Sequence, residues 1–361
     1  MDIPELKIAD LTAKFPLVQG GMGVGISMAN LAAAVANCGG VGVISGVEAG
    51  FYRPDYRSNK RQANLEALAE QIKKARQLSP SGVLGVNIMV AINDFAATVQ
   101  TVIEAGIDII FSGAGLPLQL PALAKNYRVK LAPIVSSPRA AALICKHWGR
   151  KHGRYPDAIV LEGPEAGGHL GFSEQELRQP DAYSLEKLVP ATVAAIEPFE
   201  DKSQRPIPVI AAGGLWTGQD MARMFKLGAM GVQMATRFVP THECDASLAF
   251  KKAYLDAQPD DIVLIKSPVG MIGRAIKNGF LARVAAGERK PIRCVYNCLR
   301  PCNPAEAPYC IAEALIQARR GNMGHGFAFA GVNAWRANKL QSVSEIIAEL
   351  KKQLLMALGS A

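Results

Sequence analysis

Short apolar runs recur through the first two-thirds of the chain, and each is followed by a stretch in which apolar residues return with helical spacing. A short apolar run bounded by small or polar residues is typical of a buried strand. Strands that alternate with helices indicate a parallel sheet, and eight of them favour a closed (β/α)8 barrel over an open sheet. The predicted strands are residues 16–19, 40–44, 83–89, 108–111, 131–135, 158–161, 208–211 and 231–234.

The alternation ends near residue 243. Residues 244–320 predict helices with a cysteine-rich loop, and the C-terminal segment predicts an amphipathic helix. We therefore expect an α/β fold, a (β/α)8 TIM barrel with a C-terminal, mostly helical appendage. The division predicted is a barrel at 1–243, a helical subdomain at 244–337 and a terminal helix at 338–361 that packs back on the barrel. Helices within the barrel are predicted at 28–37, 64–77, 95–105 and 218–227.

The segment EGPEAGGHLG, residues 162–171, follows the sixth predicted strand and carries the strongest sign of an active site. Gly167, Gly168 and Gly171 allow a close backbone approach that a Cβ would block. His169 places a titratable imidazole among them, at the strand end where barrel enzymes hold their sites. The alternative is a glycine-rich turn with a surface histidine.

Glycine and small polar residues also follow the other predicted strands. The loops after the last two strands, with Gly213 and Gly214 in one and Gln233, Ala235 and Thr236 in the other, match a recurrent phosphate site of barrels. Two polar residues at strand ends, Asn87 and Glu162, are candidates to hydrogen-bond the edge of a planar heterocycle; elsewhere such residues often serve as structural caps. Together these loops predict a flat, phosphate-bearing ligand across the barrel mouth.

Six motifs appear in order over about residues 15–243: PLVQGGMG, GVNIM, FSGAGLP, EGPEAGGHLG, PVIAAGGL and LGAMGVQMATRF. Together they resemble the nitronate monooxygenase (2-nitropropane dioxygenase) family and its relatives, the FMN-dependent enoyl-acyl-carrier-protein reductases. The resemblance implies a barrel flavoprotein with non-covalent FMN, and His169 beside the flavin and the substrate. The flavin contacts it implies are Gly21, Met22, Asn87, Glu162, Gly167, Gly168, Gly213, Gly214, Gln233, Ala235 and Thr236.

Two enzymatic functions follow from this resemblance. In the first, which we favour, the chain oxidises nitronates or similar small carbanionic substrates, and His169 acts as acid, base or anion-stabilising group. In the second it reduces enoyl thioesters, and the segment SPVGMIGRAIKN at 267–278 leans that way. A third reading, a non-catalytic phosphate- or flavin-binding barrel, is disfavoured because every motif that would touch flavin is intact.

Four of the seven cysteines lie in one segment, RCVYNCLRPCNPAEAPYC, with the spacing C-x3-C-x3-C-x7-C. Clustered cysteines in a cytosolic protein are usually metal ligands, and four without a nearby histidine suit a [4Fe–4S] cluster or, less well, zinc. Unliganded thiols are the remaining alternative. The candidate ligands are Cys294, Cys298, Cys302 and Cys310. We call the segment that carries them, residues 294–310, the cysteine loop.

The net charge of +9 over 361 residues suits an anionic cofactor or substrate, and no basic run is dense enough to predict nucleic-acid binding. No signal peptide or uncharged stretch of the ~20 residues that span a bilayer is evident, so we expect a cytoplasmic protein with no membrane partner. The expected partners are a small-molecule or acyl-thioester substrate and, for a reductase, an electron-carrier or acyl carrier protein. A homodimer is left open. The polar loop at 52–61 is either solvated or a lid with a basic rim.

Overall fold

The computed structural model describes residues 2–292, 294 and 296–359. Eight parallel strands close into a barrel in the order β3-β4-β5-β6-β7-β8-β10-β11, as the sequence predicts. The strands in chain order are β1 (Leu6–Ile8), β2 (Leu11–Ala13), β3 (Leu17–Gln19), β4 (Val41–Ser45), β5 (Val83–Met89), β6 (Ile109–Gly113), β7 (Lys130–Val135), β8 (Ile159–Glu162), β9 (Gly168–His169), β10 (Val209–Ala212), β11 (Gly231–Met234), β12 (Ile262–Lys266) and β13 (Ile272–Ile276).

Helices surround the barrel. The second begins at Lys60 rather than 64, because its first turn is polar and the apolar spacing that predicts the helix starts only later. The helices are α1 (Ala29–Asn37), α2 (Lys60–Leu78), α3 (Phe95–Glu104), α4 (Leu120–Leu123), α5 (Pro138–His152), α6 (Glu174–Leu177), α7 (Leu185–Ser203), α8 (Gly218–Lys226), α9 (Leu248–Leu255), α10 (Gly279–Ala285), α11 (Ile311–Arg320) and α12 (Val343–Gly359). Short 3-10 turns lie at Pro180–Ala182, Thr236–Phe238, Pro259–Asp261, Met323–His325 and Ala334–Arg336.

Side chains alternate between the barrel interior and the helices. On β6, Ile109 and Phe111 belong to the inner apolar cluster, whereas Ile110 packs in the larger cluster beneath the helices. This is the period of two that a strand imposes. The hairpin of β1 and β2 brings Leu6 into the inner cluster, where it closes the amino-terminal end of the barrel. Each fully buried side chain of this size contributes about 1.5–3 kcal/mol through loss of water contact.

The region after residue 243 contains the predicted helical segments and also a hairpin that the sequence pattern did not indicate. Strands β12 and β13 pair in antiparallel fashion, and β13 pairs in turn with the two-residue strand β9. None of the five β12 side chains is fully buried, and its short apolar run IVLIK was included in the predicted helical region although such a run also suits a strand. Strand β9 has only two residues, too few to give a pattern. The hairpin fixes the position of His169, which lies opposite Gly273.

The terminal helix α12 begins at Val343, five residues later than predicted. The hydroxyl of Ser342 accepts from the amide of Glu345 at 3.2 Å, and the Glu345 carboxylate accepts from the Ser342 amide at 2.6 Å. This reciprocal cap sets the start of the helix. The helix packs on α1 and α8, and the Gln353 side chain accepts from the amide of Gly218 at 2.8 Å. Among the described residues, no helix is both long and apolar enough to cross a membrane.

Candidate active site

A cavity of about 330 Å³ opens where the barrel strands end, within the range typical of small-molecule sites. Its walls come from the loops after the barrel strands, from the C-terminal region, chiefly residues 329–333, and from the cysteine loop. Gly171, the third glycine of the 162–171 motif, does not line it. The catalytic candidate and all eleven expected flavin contacts do: Gly21, Met22, Asn87, Glu162, Gly167, Gly168, His169, Gly213, Gly214, Gln233, Ala235 and Thr236.

One end of the cavity is bordered by backbone. Gly213 and Gly214 have φ of +97° and +73°, the left-handed region that favours glycine. The hydroxyl of Thr236 accepts from the amide of Gly331 at 2.9 Å, and the Asn333 amide group donates to the Gly214 carbonyl at 2.6 Å. Sequence reasoning missed the segment that carries Gly331 and Asn333; its only local sign was a glycine after the apolar run FAFA. This end has the exposed backbone and hydroxyl expected of a phosphate site.

Three polar side chains line the middle of the cavity without a partner. Asn87, Glu162 and Gln233 make no side-chain hydrogen bond to any other described residue. Three polar side chains without a protein partner on the wall of one cavity leave their donors and acceptors available to a polar ligand. Burial raises the pKa of Glu162 to about 7. A flavin ring, whose edge carries both donors and acceptors, fits these groups, and FMN also supplies a phosphate for the glycine-bordered end.

The segment around the β12–β13 hairpin holds the His169 side chain in place. Its Nε2 lies 2.7 Å from the hydroxyl of Ser267, and its ring lies 5.0 Å from that of Phe329 between centroids. Burial lowers the pKa of His169 to about 4, so the imidazole is neutral near pH 7. Its Nδ1 has no partner among the described residues and is the nitrogen left for a substrate. Sequence reasoning placed His169 in the site but did not link it to Ser267.

Arg274 anchors the loop that carries the glycines of this motif. It is buried, and its Nη1 donates to the carbonyls of Pro164 and Ala166, each at 2.6 Å. Burial lowers the pKa of this guanidinium, and the nearby carboxylate of Glu165 opposes that effect. Since Arg274 lies opposite Gly168 in the β13–β9 register, it fixes both the loop and the short strand that ends in His169.

The wall opposite His169 holds a buried ion pair that the sequence did not reveal. Lys60 Nζ lies 2.8 Å from Glu48 Oε1, and the amide group of Asn64 donates to the same carboxylate at 3.0 Å. The hydroxyl of Tyr56 also donates to Glu48, and the Lys60 ammonium donates to the Tyr296 carbonyl. This network joins α2 to the cysteine loop at the edge of the cavity.

The basic rim suggested for the loop at 52–61 is largely neutralised. Arg53 pairs with Glu66 at 2.8 Å and Glu70 at 2.9 Å, and Arg61 pairs with Asp94 at 3.2 Å. These cations are therefore tied to acidic residues of the same chain, which leaves them less available to an acidic carrier.

The cysteine loop reaches the cavity. Cys298 is one of the lining residues, and all four of its cysteines are free thiols. Among the residues that the structure describes, no three His, Cys, Asp or Glu side chains are grouped closely enough to hold one metal ion. A ready-made single-metal site, such as zinc would need, is therefore not seen in the described part of the loop.

The barrel, the cavity at the strand ends and its glycine-bordered polar walls together define a flavin-dependent barrel oxidoreductase. The profile of the nitronate monooxygenase family matches residues 5–353, so the chain belongs to this family and is an FMN-dependent oxidoreductase. A protein of Staphylococcus aureus strain Newman named "Probable nitronate monooxygenase" is 28% identical over 314 residues, covering 77% of this chain and 79% of that protein.

Other similar proteins are named for different activities. The "(3aS,4S,5R,7aS)-5-hydroxy-7a-methyl-1-oxo-octahydro-1H-indene-4-carboxyl-CoA dehydrogenase" of Mycobacterium tuberculosis is 29% identical over 274 residues, covering 76% of this chain but only 66% of that protein. The structure of FabK from Thermotoga maritima shares 26% identity with a TM-score of 0.75, covering 96% and 94% of the two chains. A nitroalkane oxidase from Streptomyces ansochromogenes, at 20% identity and a TM-score of 0.73 over 96% and 97%, shares the fold.

Proposed function

We propose that the protein oxidises nitronates or similar small carbanionic substrates, with His169 as the group that holds or moves a proton beside the substrate. When bound, FMN supplies the redox chemistry, and the protein supplies position and electrostatics. The observation that carries the proposal is a neutral imidazole, fixed by Ser267, in a cavity whose other polar side chains are unpaired.

The residues on the cavity wall have separate tasks in this proposal. Gly213, Gly214 and Thr236 would hold the phosphate, while Asn87, Glu162 and Gln233 would hydrogen-bond the edge of the ring. The substrate would then bind beside His169.

The hydrogen bond to Ser267 decides what Nδ1 of His169 can do. If the hydroxyl of Ser267 donates to Nε2, Nδ1 carries the proton and donates a hydrogen bond to an anionic nitro oxygen. If Nε2–H donates to Ser267, Nδ1 offers a lone pair and can take the α-proton of a neutral nitroalkane. The tautomer of His169, together with the matching orientation of the Ser267 hydroxyl, thus selects between the two roles.

Reduction of enoyl thioesters is the second candidate. The observation in its favour is the hairpin that supplies Ser267, since this segment resembles that of the enoyl reductases and the FabK structure aligns along nearly the whole chain. The N–H at Nδ1 of His169 would then stabilise the enolate oxygen that develops on the thioester carbonyl. The Mycobacterium tuberculosis relative, named for a CoA ester, adds to this candidate.

Replacement of His169 tests the proposal. We expect His169→Ala to retain FMN and to lose turnover by about 10²–10⁴-fold, the usual worth of an acid–base residue. His325, which is exposed and does not line the cavity, gives a matched control in His325→Ala. Unchanged turnover in His169→Ala would remove this residue from the mechanism.

The choice of substrate is decided by paired assays on the same enzyme. Aerobic oxidation of a short alkyl nitronate that exceeds anaerobic reduction of a trans-2-enoyl-CoA supports the nitronate proposal, and the reverse supports the reductase. A purified protein that is colourless and ignores added FMN would instead revive the non-catalytic barrel.

A further inference from the structure

Arg237 is a buried cation next to the glycine-bordered end of the cavity. Its neighbours Ala235 and Thr236 line the cavity, whereas Arg237 does not and is only 5% exposed. Burial lowers the pKa of this guanidinium, and the carboxylate of Glu349 opposes that effect. Because a buried charge is tolerated only when it is paired, the partners of Arg237 show which parts of the fold it holds together.

The two terminal nitrogens of Arg237 join different segments. Nη1 donates to the carbonyl of Trp216, in the loop that also carries Gly213 and Gly214, and the guanidinium lies over the Trp216 ring at 5.1 Å from its centroid. Nη2 pairs with Glu349 of α12 at 2.9 Å. Arg237 therefore cross-links the loops after β10 and β11, which both border this end of the cavity, and ties them to the C-terminal helix.

Helix α12 holds the loop after β10 at a second point. The side chain of Gln353 accepts from the amide of Gly218 at 2.8 Å, and its Nε2 donates to Glu349 Oε1 at 3.0 Å. A Cβ at Gly218 would lie 2.3 Å from the backbone of α12, so the two segments approach closely. Together with the two bonds of Arg237, these contacts close a ring of hydrogen bonds that starts at Trp216 and returns to the chain at Gly218.

The position of the two loops matters because few charged side chains are available to a ligand phosphate. Among the described residues, the lysine and arginine side chains that line the cavity are Lys60 and Arg61, both on α2 rather than on these loops. A phosphate at the glycine-bordered end would therefore depend on backbone amides and the Thr236 hydroxyl. Hydrogen bonds weaken steeply when donor and acceptor are misaligned, so a small shift of either loop would weaken them.

We propose that Arg237 is a positioning residue for the phosphate of FMN, and that α12 holds it in place through Glu349 and Gln353. The inference rests on the phosphate placement in the proposed function and extends it. A helix that lines no part of the cavity would set the affinity for one group of the cofactor. Since Arg237 itself is not on the cavity wall, its replacement acts through the two loops.

Flavin titrations of the flavin-free, full-length protein test the proposal, because riboflavin is FMN without its phosphate. We expect Arg237→Gln to weaken FMN binding by about ten- to a hundred-fold and riboflavin binding by less than about three-fold. Arg336→Gln is the matched control. The Arg336 guanidinium also lies over the Trp216 ring, 5.9 Å from its centroid, but makes no side-chain hydrogen bond or ion pair to another described residue. This control removes the same charge and should change neither affinity by more than about two-fold.

Gln353→Ala gives a second variant in case Arg237→Gln does not fold. Gln353 is partly exposed on the outer helix and its replacement changes no charge, so we expect this variant to fold. Its FMN affinity should fall by about three- to ten-fold, with riboflavin unchanged. Unchanged FMN affinity, or equal weakening of FMN and riboflavin binding, would overturn the proposal, because a merely structural role would affect both ligands alike.

Hydrogen exchange of the wild type measures the same coupling without a variant. With either ligand at saturation, FMN should slow amide exchange at residues 349–354 by at least about three-fold relative to riboflavin, because coupling between two sites is reciprocal. Identical exchange with the two ligands would contradict the proposal.

These results also separate the proposal from the function proposed above. A wild type that oxidises nitronates, with equal effects of Arg237→Gln on FMN and riboflavin, would keep that function and lose the role of Arg237. A wild type that binds no FMN would lose both.

Discussion

Ser267 Oγ lies 2.7 Å from Nε2 of His169, although the two residues are 98 positions apart in the chain. Ser267 is buried at the end of the β12 strand, and β13 pairs with the strand that ends in His169. One hairpin therefore both shapes the backbone at His169 and holds its imidazole. This makes the orientation of the active-site histidine a property of the C-terminal region rather than of the barrel alone.

The contribution of this hydrogen bond can be measured. We expect Ser267→Ala to lower kcat by about ten-fold, since one hydrogen bond that fixes a catalytic group is worth roughly 1–1.5 kcal/mol. FMN content should not change, because Ser267 does not line the cavity. Steady-state kinetics as a function of pH should show the loss in kcat rather than in KM.

Ser267→Thr is the matched control, because it keeps the hydroxyl and should restore most of the activity. If Ser267→Ala and the wild type have the same kcat and the same pH profile, then Ser267 has only a structural role.

Glu162 makes stability depend on pH in a defined direction. Its pKa is about 7 in the folded protein, raised by burial from the ordinary value of 4.5. Between these values the folded protein keeps a proton that the unfolded chain releases, so the stabilisation is complete below pH 4.5 and is lost as the pH rises to 7. We expect Glu162→Gln, which cannot ionise, to be more stable than the wild type at pH 8 by on the order of 1–3 kcal/mol, and by less than about 1 kcal/mol at pH 5, where most of the loss has not yet occurred.

Thermal unfolding of the flavin-free protein at the two pH values measures this effect. The pKa of His169 is lowered to about 4 from 6.5, so its contribution runs in the opposite direction and is lost as the pH falls through that interval. The contribution of His169 is the same in Glu162→Gln and in the wild type, so it cancels in the difference between them. Glu197→Gln, at an exposed position on α7, should show no such pH dependence. An equal difference at both pH values would contradict the prediction.

Two adjacent glycines should respond differently to a methyl group. A Cβ at Gly167 would lie 2.4 Å from backbone atoms of Ala330 and Gly331, which cannot move aside cheaply. A Cβ at Gly168 would meet nothing within 4 Å, although its φ of +83° is unfavourable for alanine. We expect Gly167→Ala to destabilise the protein by about 1–3 kcal/mol or more, through overpacking.

Gly168→Ala should lower the free energy of unfolding by only about 1 kcal/mol, because alanine disfavours the left-handed backbone conformation at this position. Because Gly168 lines the cavity, its new methyl group should instead weaken FMN binding, by about ten-fold or more. Thermal unfolding without FMN and a flavin titration measure the two effects. Equal loss of stability in both variants, with unchanged FMN affinity in Gly168→Ala, would be inconsistent with this assignment.

The barrel could be predicted from the sequence because each of its strands and helices gives a local pattern. Each barrel strand is a run of apolar residues between helices, and all eight predicted strands are present with ends shifted by at most two residues. The helix at Lys60 was placed too late because its first turn is polar, and its Lys60 pairs with the buried carboxylate of Glu48 instead of adding to the apolar spacing. Many residues around the cavity could be predicted for a related reason. Parallel strands bring their carboxyl ends to one face of a barrel, and His169 and Gly213 follow such ends.

The sequence by itself thus determined the barrel, the strand ends where ligands bind and the glycines that border them, because all three follow from short-range pattern. Only the tertiary structure decided which residues surround His169: Ser267 and Phe329 approach it through a three-stranded sheet whose middle partner has no strand pattern of its own. The ion pair of Lys60 with Glu48 was equally invisible, because ordinary charged residues give no sign of their partners until the fold brings them together in a low-dielectric wall.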